Sequence, residues 1–191
     1  MVRRTGLEAL AVAGVIAITT ACAKERPVQE PDSTQTKDRF EVTRTVQGPA
    51  GRLHVREEGE GGTPILFVHG FAGSSDQWSG QLVYFGGSRR VLAIDLRGHG
   101  ASEDPKGGDY SVAGLAADIE AVADSLGLRR LALVGHSLGG AAAIEYAGRH
   151  PDRVAALVLI GAPGRTPPER GRRLVATMEA DYERVAEGYW E

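Results

Sequence analysis

The sequence predicts an α/β fold, in which a mostly parallel β-sheet carries helices on both faces. Two observations predict it: short aliphatic segments recur along the chain, and amphipathic segments with helical spacing lie between them. Strands that alternate with helices are joined by crossovers, which make neighbouring strands parallel. The 191 residues suffice for one domain, and 26 glycines, roughly twice the average share, indicate many tight turns.

The strands are predicted from aliphatic runs and their flanking turns. Residues 40–46 and 52–57 favour strand on either side of Gly48-Pro49-Ala50-Gly51, so we expect a hairpin. Three short strands of the buried type follow, at Ile65–Val68, Val91–Ile94 and Leu131–Val134. Val154–Ile160 has seven apolar residues without a break, which is typical of a strand covered on both faces.

Two helices are predicted between these strands. Ser111 can cap a helix that stops at Gly127 and whose apolar residues recur at helical spacing, namely Leu115, Ile119, Val122 and Leu126. A second helix extends from Leu138 to Arg149 and ends before Pro151.

The first part of the chain has the composition of an export signal followed by a tether. A basic start precedes ten apolar residues, Ala9–Ile18, far fewer than the roughly 20 that span a bilayer as a helix. We predict a signal peptide over residues 1–21 and a flexible tether over residues 22–39. The only cysteine, Cys22, follows Thr19-Thr20-Ala21, which resembles a bacterial lipoprotein signal and implies a lipid anchor; ordinary cleavage near the same place is the alternative.

The charge and cysteine counts exclude several classes of partner. The chain has 22 basic and 25 acidic residues with interspersed signs, a net charge of −3, so no nucleic-acid partner is expected. A single cysteine excludes an internal disulfide and a cysteine-based zinc site. We expect no metal.

A glycine-flanked serine, in Gly135-His136-Ser137-Leu138-Gly139, lies between a predicted strand and a predicted helix. A serine on such a sharp turn stands above the sheet edge, and the glycines let neighbouring backbone pass close by. The helix N-terminus directs amide donors at an oxyanion formed there. The motif therefore predicts Ser137 as a nucleophile. Because a dinucleotide loop needs glycine at Ser137 and a phosphate-binding loop needs Gly-Lys-Ser/Thr, we expect no cofactor.

Two further segments follow predicted strands. In His69-Gly70-Phe71-Ala72 we expect the Phe71 N–H to be an oxyanion donor together with the Leu138 N–H, and His69 to be a structural hydrogen-bonding residue. In residues 95–102, DLRGHGAS, we expect Asp95 and Arg97 to brace the loop as an ion pair. His99 and His136 are interpreted as scaffold residues.

The glycine-serine motif, extended to residues 135–140, forms a set of three with the segments at residues 69–72 and 95–102. In order and spacing this set resembles the α/β-hydrolase superfamily over about residues 50–165. The resemblance implies a hydrolase core over residues 40–164 and the start of a cap over residues 165–191. It implies acyl transfer from a small-molecule carbonyl substrate to water through Ser137. The resemblance disfavours the epoxide hydrolases and haloalkane dehalogenases, which carry an aspartate nucleophile. It favours esterases, lactonases, C–C bond hydrolases, cofactor-free haloperoxidase-like enzymes and some aminopeptidases.

The resemblance also implies an acid and then a histidine after the serine. The only histidine after Ser137 is His150, roughly 20 Å away along the predicted helix, and no acid follows Ile160 closely. We therefore expect the front part of a longer hydrolase, whose catalytic acid, catalytic histidine and last strands are not in this chain. The alternative is a non-catalytic exported lipoprotein that retains the scaffold as a binding surface.

We expect the protein to be exported to the cell envelope and lipid-anchored at Cys22. In a bacterial host, metabolic labelling with a palmitate analogue should label the wild-type chain and should not label Cys22→Ser. An unlabelled, soluble product that begins near Lys24 would establish ordinary cleavage instead.

Overall fold

The computed structural model describes residues 41–105 and 107–162, which contain a six-stranded sheet. The strands are β1 Val42–Gly48, β2 Gly51–Glu58, β3 Ile65–Val68, β4 Val91–Ile94, β5 Leu131–His136 and β6 Val154–Ile160. The α-helices are α1 Ser79–Gly86, α2 Val112–Ser125 and α3 Ser137–Arg149, and short 3₁₀ helices cover Ser75–Trp78 and Pro151–Arg153. The predicted signal peptide, tether and cap, with Cys22, lie outside the described residues.

The sheet is mostly parallel, as predicted. Its strand order is β1-β2-β4-β3-β5-β6. The first two strands form the predicted hairpin, and β2 is antiparallel to β4, whereas β4, β3, β5 and β6 run parallel to one another. The carboxyl ends of the four parallel strands therefore meet at one edge of the sheet, where the loops that follow them lie together.

Helices cover both faces of the sheet, and alternate residues of one strand show it. Leu66 and Val68 of β3 pack in a core cluster with α2 and α3, while Ile65 and Phe67 pack on the opposite face with Leu82 of α1. The four predicted apolar residues from Leu115 to Leu126 all belong to or pack against the first cluster, although α2 itself ends at Ser125 and Leu126 follows it. Helix α2 begins as predicted, because the Ser111 side chain accepts the N–H of Gly114 at 3.1 Å.

In one respect β6 differs from the prediction. It was expected to be covered on both faces, but apart from Val154, which packs against the core, its residues are exposed, and Val158 is 47% exposed. In the described part of the chain β6 is an edge strand that pairs with β5 alone. An unbroken aliphatic run shows that a strand needs cover on both faces, but it does not show which residues supply that cover.

Within the described ranges, no helix has the length and hydropathy that crossing a bilayer requires.

We expect the exposed aliphatic edge at β6 to make the 191-residue chain self-associate, because unpaired strand edges template further pairing. Replacing Val158 by lysine should raise the highest concentration at which the chain remains monomeric by roughly tenfold. Thr43→Lys, at the opposite and polar edge, is the matched control and should change it little. Light scattering of purified chain measures both. A wild-type monomer at micromolar concentration with a cooperative thermal transition would contradict this expectation.

Candidate active site

The predicted nucleophile lies where β5 turns sharply into α3. His136 is extended, with φ −101° and ψ 133°, and Ser137, the first residue of α3, has φ +47°. Left-handed backbone costs a non-glycine residue roughly 1–2 kcal/mol, so the surroundings must hold Ser137 in place. This is the strand-to-helix turn that the glycine-flanked serine predicted. It places a half-buried Ser137 at the edge where the parallel strands end.

Glycines let α3 lie directly against the end of β3. A Cβ on Gly139 would collide with the carbonyl oxygens of Val68 and His69. A Cβ on Gly135 would lie 2.6 Å from the carbonyl oxygen of Gly139. Both positions therefore exclude any side chain, which is the physical reason for the two flanking glycines of the motif.

The oxyanion segment after β3 lies against the serine. A Cβ on Gly70 would be 3.4 Å from the Ser137 Cβ and 2.7 Å from Nδ1 of His136. The Gly70 carbonyl accepts two N–H groups, from Nδ1 of His69 at 2.7 Å and from Gly73 at 3.1 Å. In a trans peptide the N–H points away from the C=O, so these two bonds set the direction of the Phe71 N–H. The structure thus brings the predicted donor segment and the predicted nucleophile together.

His69 is a buried, neutral scaffold residue. The Leu96 N–H donates to its Nε2 at 3.1 Å, so the proton is on Nδ1, which donates to Gly70. Burial lowers the pKa of His69 to about 4, and the positive charges that His99 and His136 would carry oppose its protonation further. With both ring nitrogens bonded to backbone, His69 has no lone pair to offer Ser137 as a general base.

Asp95 and Arg97 do not form the predicted ion pair. Asp95 accepts the N–H of Ser75 at 2.5 Å and that of Ala101 at 2.9 Å, and its Oδ2 lies 2.9 Å from Nδ1 of His54. Burial would raise the pKa of Asp95, but the Ala101 and Ser75 donors outweigh it and hold the pKa below its usual value. The Asp95 carboxylate accepts backbone N–H groups from the loops after β3 and β4. These donors satisfy the carboxylate, so it does not require an arginine as partner.

Arg97 pairs instead with Asp118 on α2. Its Nη2 lies 2.6 Å from Oδ1 and its Nε 2.9 Å from Oδ2, a bidentate geometry in which the two side chains are 4% and 0% exposed. The same guanidinium donates to the carbonyls of Asp109 and Gly114, so it holds the loop after β4 on the start of α2. Because Asp118 is 21 residues from Arg97, loop spacing alone did not indicate the pairing.

The sequence matches a known family. A family model described as alpha/beta hydrolase fold matches residues 63–190. The chain belongs to this family.

Several known proteins are similar to the chain. It is 41% identical over 129 residues to the dihydrolipoyllysine-residue acetyltransferase component of the acetoin cleaving system of Pseudomonas putida, covering 62% of this chain and 34% of that protein. It is 38% identical over 126 residues to the 2-hydroxymuconate semialdehyde hydrolase of Pseudomonas putida, covering 65% of this chain and 44% of that protein. Its fold resembles that of Est816, described as an N-acyl homoserine lactone degrading enzyme, with a TM-score of 0.64 and 33% identity over 73% of this chain and 53% of that one. The chain therefore spans only about a third to a half of the length of these proteins.

Other histidines of the hydrolase fold have assigned partners. The ring of His99 tilts against that of His69 at 5.1 Å, and its Nδ1 donates to the Arg97 carbonyl at 2.9 Å. His150 is at the other end of α3 from Ser137, with Nε2 3.2 Å from Glu120. Within residues 41–105 and 107–162, no hydrogen bond joins a histidine or a carboxylate to the Ser137 side chain.

The sequence-based prediction missed Asp118 and Gln77. Asp118 is adjacent to Ile119 on the apolar face of α2, and an acid at such a position indicates a buried partner. Gln77 has no comparable signal, because a glutamine in a polar loop is common. With Ala72, Gly73, Ser74 and Gly100 it lines a cleft of about 370 Å³ beside the Phe71 loop. In the portion of the chain that the structure describes, no three side chains are grouped to hold a metal ion.

We expect His69 to make the fold sensitive to mild acid. Unfolded His69 takes up a proton near pH 6.5, whereas the folded ring resists protonation until about pH 4. The contribution of His69 to the free energy of unfolding should therefore be complete above pH 6.5. It should fall by about 3 kcal/mol as the pH drops to about 4.

Urea unfolding between these pH values measures the effect. His69→Gln should remove most of this fall, because its amide cannot titrate, whereas His150→Gln should retain it. Equal slopes in the wild type and in His69→Gln would mean that His69 is accessible and titrates normally.

Proposed function

We propose that this chain is the front part of a serine hydrolase that transfers the acyl group of an ester-like substrate to water through Ser137. The observation that carries the proposal is the left-handed Ser137, at φ +47°, on the turn between β5 and α3. Strain of this kind persists where the surrounding structure holds it, and it is typical of functional residues. Ser137 as nucleophile favours ester-like carbonyl substrates over the epoxides that aspartate relatives open.

The proposed reaction begins with attack of the Ser137 hydroxyl oxygen on the substrate carbonyl, while a histidine accepts its proton. The tetrahedral oxyanion is stabilised by the N–H groups of Phe71 and Leu138, the second at the N-terminus of α3. Collapse of the tetrahedral intermediate breaks the bond to the leaving group, and the histidine donates its proton to that group. Water then attacks the acyl-enzyme by the same steps and releases the acid.

We propose that the acid and histidine of this reaction belong to a longer polypeptide. Neither His69, with both nitrogens engaged, nor His150, beside Glu120, is placed to activate Ser137. The chain spans 34% and 44% of the lengths of the two curated relatives described above, which supports this proposal. These two relatives are named as an acetyltransferase component and a hydrolase, and Est816 is described as a lactone-degrading enzyme, which supports an esterase- or lactonase-like activity.

We further propose that the protein is exported, works in the cell envelope and is attached to the membrane through a lipid on Cys22. The support is the sequence alone: a signal-like start, one cysteine just after it and a polar tether. The partners would then be a small-molecule carbonyl substrate and, through the anchor, the bilayer.

The proposal is tested with p-nitrophenyl butyrate and a fluorophosphonate probe. A polypeptide that includes any encoded continuation beyond residue 191 should hydrolyse the ester and be phosphonylated at Ser137. The 191-residue chain should be about 10⁴–10⁶-fold slower, because an unactivated serine is a weak nucleophile.

Ser137→Ala should abolish turnover and labelling, whereas Ser88→Ala, at an exposed serine, should change neither. Ordinary esterase turnover by the 191-residue chain, lost in Ser137→Ala, would show that a histidine within it serves as the base. No labelling of either polypeptide would leave the non-catalytic binding scaffold as the function.

A further inference from the structure

One side chain, that of Gln77, contacts both halves of the candidate active site. Its Oε1 accepts the N–H of Gly70 at 3.2 Å, and its Nε2 lies 2.8 Å from Nδ1 of His136. Gly70 precedes the donor Phe71 in the chain, and His136 precedes Ser137. The amide of Gln77 therefore links the residue before the oxyanion donor to the residue before the nucleophile.

The hydrogen-bond partners fix the orientation of this amide. The backbone N–H of Gly70 can only donate, so the amide oxygen of Gln77 must face it. The NH₂ group then faces His136, and since it can only donate, Nδ1 of His136 must present a lone pair. Neutral His136 consequently carries its proton on Nε2. A backbone donor thus sets the tautomer of a histidine beside the nucleophile through one intervening side chain.

Gln77 itself is held firmly on both sides. The next residue, Trp78, is buried and stacks on Phe67 of β3 with ring centroids 4.9 Å apart. Two residues before Gln77, Ser75 donates its N–H to Asp95. A Cβ on Gly73 would come within 3.2 Å of the Gln77 amide oxygen, so the glycine at this position lets the loop pass close to the amide.

We propose that Gln77 is a positioning residue for acyl transfer, which aligns the oxyanion segment with Ser137 by bonding Gly70 and by holding His136 in one tautomer. The inference rests on the proposed function for its kinetic consequence. Its structural half concerns the proton of His136, which can be observed whether or not the chain turns over a substrate.

The structural half is tested by ¹⁵N–¹H correlation spectra of the histidine rings at neutral pH, with His136 assigned from His136→Gln. Wild-type His136 should show an unprotonated Nδ1 and a protonated Nε2. In Gln77→Glu a carboxylate faces the ring, so the proton should move to Nδ1. Gln77→Met, which fills similar volume without polar atoms, should lose the single tautomer. A protonated Nδ1 in the wild type, or unchanged spectra in both variants, would overturn the assignment.

The kinetic half is tested by the rate of Ser137 phosphonylation in the polypeptide with any encoded continuation. Direct loss of an oxyanion donor lowers turnover by about 10²–10³, so loss of its positioning residue should lower the rate by about tenfold or more. Gln77→Met and Gln77→Glu should both show this in the maximal rate at saturating probe, with little change in the half-saturating concentration. Gln81→Ala, at an exposed glutamine on α1, should label at the wild-type rate.

The outcomes separate the two proposals. Folded Gln77 variants that label at the wild-type rate would overturn the positioning role while the hydrolase function stands. A wild type that is never labelled would overturn the hydrolase function and the kinetic half together, and the tautomer spectra would still decide the structural half.

Discussion

The structure depends on the direct contact between the first turn of α3 and the last residues of β3. Gly139 lies on the carbonyls of Val68 and His69, and Gly135 on that of Gly139, with no space for a side chain at either position. Any larger residue would push α3 off the sheet and disturb the core that Ala142, Ala143 and Tyr146 form behind it. Because the contact is so close, the serine that begins α3 and the loop that leaves β3 have a fixed separation. The candidate active site is a consequence of how this helix packs.

Buried charges hold the neighbouring loops around that contact. Arg97 and Asp118 are almost fully inaccessible, and each satisfies the other with two parallel hydrogen bonds. Such a pair gives little net stability against an apolar replacement, but removing one partner leaves a buried charge and typically costs about 3–5 kcal/mol. Its contribution here is geometric, because Arg97 also gathers the carbonyls of Asp109 and Gly114. The pair therefore holds the loop after β4 in a fixed position beside the carboxyl end of that strand.

Local structure was predictable where the chain carries its own signals. The bounds of β3, β4 and β6 coincide with short aliphatic runs, Ser111 caps α2, and the sharp turn at Ser137 follows from glycines between a strand and a helix. Contacts between distant residues were not predictable in the same way. Arg97 was assigned to Asp95, and only the packing of α2 reveals Asp118 as its partner. The exposure of β6 likewise depends on what lies beside that strand. Gln77 acts through two partners, one of them 59 residues away, which no local pattern indicates.

Asp95 joins three parts of the chain that are far apart in sequence. One carboxylate accepts backbone N–H groups from the loop after β3 and from the loop after β4, and its Oδ2 also lies 2.9 Å from Nδ1 of His54 on β2. The loops that border the serine are consequently not independent modules. In a chimera made with a homologous protein, a transplanted β3 loop would carry a backbone N–H positioned for the aspartate of the donor protein. The aspartate of the recipient would not lie at the matching position. Exchange of specificity between members of this family should therefore succeed when both loops and the aspartate travel as one block, and fail when one loop is exchanged alone.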